Sequence, residues 1–310
     1  MTKTAAIFPG QGSQRVGMLA ELAGESDLVR ATFDEASRAI GRDLWQLVAE
    51  GPAEQLNQTR WTQPAMLAGD IAVWRVYCER GGEMPLAMAG HSLGEYAALV
   101  AAGAMALGDA AAVVHERGRL MQAAVAEGEG AMAAILGLDD LQVEKFCADS
   151  DPARPVVAAN YNSPGQLVIA GSRTGVEQVL ERCRRAGARR AMLLPVSVPA
   201  HSPLMTPAAA GLEQALESVE IGPPVRPVLH NVDLQPREDA DSIRQALVDQ
   251  LTRPVPWTGT IREMVARGAT TFLECGPGRV LSGLGKRIQR DADWLALESG
   301  EGIVQALETQ

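Results

Sequence analysis

The sequence is short of cysteine, of histidine and of positive charge. Its four cysteines, Cys78, Cys147, Cys183 and Cys275, are widely spaced and form no C-x-x-C pair. Such spacing excludes a zinc site and a disulfide framework and points to a reducing cytoplasm. Lysine and arginine number 28 against 38 aspartates and glutamates, a formal net charge of −10. That balance argues against a general binder of nucleic acid or anionic membrane. No apolar run is long and continuous enough to span a bilayer, and the run at 5–8 is too short for a signal peptide. Internal repeats and low-complexity tracts are absent as well. What remains is a 310-residue chain, 46% hydrophobic and 21% charged. That is the composition of a soluble globular protein of one large domain or two smaller ones, expected in the cytoplasm.

The most informative stretch begins at Leu86. A short apolar run leads into Gly90-His91-Ser92-Leu93-Gly94-Glu95-Tyr96, and an apolar helix-forming run follows at 97–102. Strand, Gly-x-Ser-x-Gly turn and helix together describe a nucleophile elbow, in which the serine sits on a strained turn with its hydroxyl exposed. The N–H of Leu93, at the helix start, would face an oxyanion formed there. An ordinary strand-to-helix turn is the alternative.

The chain ahead of the elbow opens with a buried strand at 4–8 and a loop, Pro9-Gly10-Gln11-Gly12-Ser13-Gln14. A dinucleotide-binding reading fails there, because Arg15 stands where G-x-G-x-x-G requires its third glycine. Helices are expected at 29–40, 44–48 and 65–77, the last with Pro64 in its first turn and Gln63 as a helix-entry residue. Asp109 is the expected N-cap of a helix over 110–125. Arg117 falls on the apolar face of that helix, and a buried guanidinium needs an anion or several acceptors. An internal ion pair would satisfy it equally well.

Residues 128–196 follow the order β-α-β-β-α-β, the ferredoxin-like split unit. The expected division is therefore a small subdomain at 128–196 inserted into a core made of 1–127 and 197–310. Further core strands are expected at 225–232 and 271–275, with helices at 241–251 and from 280. Strands alternating with helices on both sides of the insertion give an α/β class with a mainly parallel sheet. For a base, the four histidines offer His91, His115, His201 and His230. His201 follows the nucleophile in the hydrolase-type order Ser…His. No acidic third member is evident, and a main-chain carbonyl can orient an imidazole instead.

Taken together, several motifs resemble the malonyl-CoA:acyl-carrier-protein transacylases of bacterial type II fatty acid synthesis. They are Phe8-Pro9-Gly10-Gln11-Gly12-Ser13-Gln14, Thr62-Gln63-Pro64-Ala65, the elbow, Arg117-Gly118, Gly130-Ala131-Met132-Ala133-Ala134, Asn162-Ser163-Pro164-Gly165-Gln166, Val198-Pro199-Ala200-His201 and Glu274-Cys275-Gly276-Pro277-Gly278. The resemblance implies an α/β-hydrolase-like core with a ferredoxin-like subdomain. It also implies ping-pong transfer of a malonyl group from malonyl-CoA to the phosphopantetheine thiol of an acyl carrier protein. Ser92 would be acylated, with His201 as its base, oriented by the main-chain carbonyl at Gln250. Arg117 would hold the malonyl carboxylate, the amides of Gln11 and Leu93 would form the oxyanion hole, and Gln63 and Met132 would bind substrate. Neither half-reaction needs a metal or bound cofactor. Ala200 departs from the serine that related transacylases often carry, or the phenylalanine of polyketide-synthase relatives, at a position that the resemblance places beside the acyl pocket, which bears on α-substituted malonyl groups. Rival readings are the acyltransferase of a malonate decarboxylase, a free-standing polyketide acyltransferase, and a serine esterase or thioesterase. The last gives no reason for an interior Arg117.

Overall fold

The computed structural model describes residues 3–196 and 198–309. Ser197, at the expected edge of the inserted unit, lies outside the described residues. The strands are β1 (Thr4–Phe8), β2 (Ala87–Gly90), β3 (Gly130–Leu136), β4 (Val156–Ser163), β5 (Gln166–Ser172), β6 (Arg190–Leu193), β7 (Val228–Leu229), β8 (Thr271–Glu274) and β9 (Asp293–Ala296).

In the order β7-β2-β1-β8-β9 they form a five-stranded parallel sheet. Alternation along the strands sends side chains into two cores. Ala6, Phe8, Met88 and Leu273 join one, while Ala5, Ile7, Ala87, Ala89 and Phe272 join the other. Covered on both faces, these strands read as continuous apolar runs rather than as alternating ones. Each large side chain buried there, such as Phe8 or Phe272, contributes about 1.5–3 kcal/mol.

The second sheet is antiparallel, in the order β4-β5-β3-β6. Helices Asp140–Ala148 and Arg173–Arg185 pack on one face of it through Val143, Cys147, Val176, Val179, Leu180 and Cys183. This is the ferredoxin-like arrangement expected above. On the opposite face, Met132, Ala159, Val168 and Ala170 cluster with Leu194, Val196 and Ala200. Backbone bonds tie β4 to the loop ahead of helix Trp257–Ala266: Tyr161 N–H donates to Val255 C=O at 2.9 Å, and Val255 N–H to Ala159 C=O at 2.8 Å.

Several local expectations need correction. The helix carrying Gln63 runs Thr59–Glu79, so Pro64 lies in its interior and not in its first turn. Gln58 is extended and ends the preceding chain, while Thr62 Oγ donates to Leu56 C=O and Gln58 C=O, closing the first turn five residues earlier. Burial of both flanks offsets the bond that Pro64 cannot make. Asp109 is not an N-cap: the helix is Leu107–Ala123, capped by extended Ala106, and Asp109 lies in its first turn, where the dipole favours its charge. The strand expected at 225–232 is only Val228–Leu229, preceded by Pro227, which has no N–H, and followed by a turn in which Leu234 N–H returns to His230 C=O. Helix Trp257–Ala266, edge strand β9 and helix Gly300–Glu308 were not anticipated. No helix among the described residues is long and apolar enough to cross a membrane.

Candidate active site

The elbow stands at the carboxyl end of β2, an interior strand of the parallel sheet, where His91 reaches Asn162 of β4 in the second sheet. Ser92 has a φ of 52°, left-handed for a residue with a side chain, at a cost of about 1–3 kcal/mol. The chain passes close on both sides. A Cβ on Gly94 would strike Phe8 C=O, and one on Gly10 would lie 2.5 Å from His91 C=O. These contacts press the 9–11 loop against the elbow. Among the described residues, the amides of Gln11 and Leu93 donate to no protein acceptor.

Ser92 Oγ donates to His201 Nε2 at 2.8 Å, and His201 Nδ1 donates to Gln250 C=O at 2.8 Å. The carbonyl fixes the tautomer that leaves Nε2 free to accept a proton. His201 is 2% exposed. Burial, and then the charge of Arg117, lower its pKa to about 3, so the imidazole is neutral at physiological pH. The remaining histidines are placed differently. His91 donates from Nε2 to Asn162 Oδ1 at 2.8 Å with its ring against Trp257, and burial lowers its pKa. His115 packs against Trp61 with its ring tilted by 32°, and His230 is buried against Glu95.

Arg117 projects from helix Leu107–Ala123 and is 2% exposed. Its Nη1 donates to Gln63 Oε1 at 2.7 Å, and its Nη2 donates to Gln250 Oε1 at 2.9 Å and to Ser92 Oγ at 3.4 Å. Its guanidinium carbon lies 5.7 Å over the Tyr96 ring, and Nε is buried without a partner. No carboxylate among the described residues comes within ion-pair distance of it. The internal ion pair left open by the sequence is therefore not made.

These groups line a cleft of about 190 Å³ between the two sheets. Gln11, Ser92, Leu93, Arg117 and His201 form the core side. Met132 and Val168 of the second sheet, with Leu194, Val196 and Ala200, form the apolar wall. Gln63 is buried behind Arg117 and holds the cation from the rear, not from the wall. A wider polar groove of about 510 Å³ continues outward past Gln11, Thr59 and Met121 to Arg60 and Gln122.

Three contributions escaped the sequence reading. Asn231 bonds Ser92 N–H and Gly90 C=O. The Gln250 side chain donates to Ser92 C=O at 3.0 Å and to Glu95 Oε2 at 2.8 Å. Glu95 is wholly buried and accepts from His230, Asn231 and Gln250. Only Glu95 left a signal: an acid leading an apolar helix needs buried donors.

The acyl transferase domain model matches residues 6–294. Malonyl CoA-acyl carrier protein transacylase from Salmonella typhimurium is 52% identical over 307 residues, covering 99% of each chain. This chain belongs to the malonyl CoA-acyl carrier protein transacylase family. The family's transacylase from Coxiella burnetii superposes with a TM-score of 0.98 at 47% identity, covering 99% of this chain and 97% of that one. A second transacylase structure of the family, solved in complex with a type II PKS acyl-carrier protein, has a TM-score of 0.98 at 49% identity and full coverage of both chains.

Proposed function

We propose that the protein transfers a malonyl group from malonyl-CoA to the phosphopantetheine thiol of an acyl carrier protein, through a malonyl-Ser92 ester, supplying fatty acid synthesis. One observation carries this reading. A permanently charged, buried Arg117 with only neutral partners stands 3.4 Å from the nucleophile's oxygen. Such a cation suits an acyl group that brings its own carboxylate, which a guanidinium fork holds by two parallel bonds.

In the first half-reaction His201 takes the Ser92 proton as Oγ attacks the thioester carbonyl. The amides of Leu93 and Gln11 receive the oxyanion. Collapse breaks the carbon–sulfur bond, and the coenzyme A thiolate takes the proton from His201. In the second, the carrier's thiol gives its proton to His201 and attacks the ester, and Ser92 leaves with that proton. The outer groove suits the extended arm that both thiols share. Met132 faces the acyl group from the second sheet, and Ala200 keeps that wall short. Residues 128–196 act as the unit carrying this wall, and the cytoplasm, where cysteines stay reduced, is the proposed compartment. Mass spectrometry after brief exposure to malonyl-CoA tests the reading: a malonyl adduct on the Ser92 peptide is expected. Free malonate with no adduct would point to a hydrolase.

Carrier docking needs local basic surface, since the chain's net charge is −10. On helix Arg173–Arg185, Arg182 pairs with Asp149, and Arg184 and Arg185 with Glu181. Lys286, Arg287 and Arg290 are exposed and have no acidic partner among the described residues. Arg287 donates to Gln166 Oε1 of β5, so this patch borders the second sheet. Reversing the three charges is expected to raise the KM for the carrier about tenfold at low salt and to leave acylation by malonyl-CoA intact. Carrier kinetics that do not change would remove this patch from the docking surface.

A further inference from the structure

The ladder between β7 and β2 stops early. Its register ends at Ala89 opposite Leu229. Beyond that point the edge of β2 presents Gly90 C=O and then Ser92 N–H, with no strand to meet them. Asn231 meets both. Its Nδ2 donates to Gly90 C=O at 2.8 Å, and its Oδ1 accepts from Ser92 N–H at 2.8 Å. A single planar side-chain amide thus takes the place of the N–H and C=O that one residue of a parallel neighbour would present.

Asn231 is itself held in place. Its N–H donates to Glu95 Oε2 at 3.0 Å, and the adjacent His230 donates from Nδ1 to Glu95 Oε1 at 2.7 Å. Glu95 Oε2 also takes Gln250 Nε2 at 2.8 Å, and Gln250 supplies the carbonyl that orients His201. Asn231, His230 and Glu95 are all fully buried. The first turn of the nucleophile helix therefore fixes both segments that flank the serine.

We propose that Asn231 is a positioning residue of the reaction. Seated on Glu95, its amide locks Ser92 in the left-handed conformation that aims Oγ at His201 and leaves the Leu93 N–H facing the acyl oxygen. This rests on Ser92 being the acylated group. Asn231 does not line the cleft, so it acts on rate and not on binding.

The chemistry of the amide supplies the test. An amide accepts and donates, a carboxylate only accepts, and a protonated carboxyl again does both. Asn231→Ala is expected to slow Ser92 acylation about 100-fold with little change in KM for malonyl-CoA, the loss typical of a displaced reacting group. Transfer to the carrier slows by a similar factor, because both steps use the same elbow. In Asn231→Asp one oxygen of the new carboxylate meets Gly90 C=O, while the Glu95 carboxyl group sits on the backbone N–H of the same residue, bonded also to His230 and Gln250, with Arg117 beyond Gln250. Repulsion from the carbonyl oxygen that it faces favours its protonation. Acylation by this variant is therefore expected to recover as pH falls, whereas the parent's rate does not rise. Rates are taken per folded molecule, with near-UV circular dichroism as the check.

Labelling of the parent separates the two readings. A parent enzyme with no adduct at Ser92 removes the nucleophile assignment itself. With the parent labelled, an Asn231→Ala enzyme that acylates at the parent rate overturns the clamp. An Asn231→Asp profile parallel to the parent's also overturns it, and that variant decides alone where the alanine variant does not fold.

Discussion

Replacing His201 with alanine is expected to slow malonylation of Ser92 by about 10²–10⁴-fold, the contribution of a positioned general base. The adduct still forms, slowly, because the nucleophile and its amides remain, whereas Ser92→Ala forms none. The pH dependence identifies the group. In the empty enzyme His201 is held neutral down to about pH 3, by burial first and by Arg117 second. The kcat/KM for acylation should therefore show no acid limb near the ordinary imidazole value of about 6.5. Bound malonate offsets Arg117 and removes the second cause, so the acid limb of kcat lies at higher pH than that of kcat/KM. Stability follows with a definite sign. A folded-state pKa below the unfolded one means that stability is lost as pH falls from about 6.5 toward 3. His201→Ala lacks that loss, so thermal melts of the two proteins should diverge in the variant's favour across that window. A rapid-quench acylation assay that finds parent rates in His201→Ala would move the base elsewhere.

Arg117→Ala should lose malonyl transfer by about 10²–10³-fold, the cost of removing one partner of a buried charged pair. Its use of acetyl-CoA should rise relative to malonyl-CoA. An acetyl group in the parent enzyme leaves a desolvated cation unanswered beside the reacting carbon, and the variant removes that penalty. Arg117→Lys should recover only part of the loss, since an ammonium cannot reproduce two parallel bonds held at their far side by Gln63 and Gln250. Competition between the two thioesters measures the effect. An unchanged preference in Arg117→Ala would make the buried guanidinium a structural group.

The elbow was legible because three local signals coincide within residues 86–102: an apolar strand, glycines at fixed offsets and an apolar helix. Arg117 was visible as a charge on an apolar helical face, but not its partners. Gln63 lies 54 positions from it and Gln250 133 positions, and both are neutral, so no charge pattern announces them. Asn231 was invisible for a related reason. Its role exists only because β7 is two residues long, and the sequence pattern suggested a strand running through to 232. Helix starts at 59 and 107 were misplaced because each cap is made by an extended backbone at Gln58 and Ala106, and not by a capping side chain. The two-sheet plan was easier to anticipate. Short apolar runs bounded by glycine and proline, and the β-α-β-β-α-β order, are local signals that need no distant partner.

The cleft is assembled from two sheets with separate cores. Ser92 follows a strand of the parallel sheet, Arg117 stands on a helix of that core and His201 on the turn that leads back to it, whereas Met132 and Val168 come from the antiparallel sheet. Apart from Ala200, which adjoins His201, the reacting groups and the strand residues of the apolar wall lie in different stretches of chain, and selection can act on one without dismantling the other. Substitutions at Met132 or Val168 leave the strained elbow, its amides and the imidazole untouched. A lineage can therefore drift toward bulkier acyl groups through single, individually viable steps on one wall. Changes at Gly94, Glu95 or Asn231 offer no such gradual route, because each disturbs several bonds at once. Variation among descendants of this chain should accordingly gather on the second sheet's inner face and be sparse around the serine.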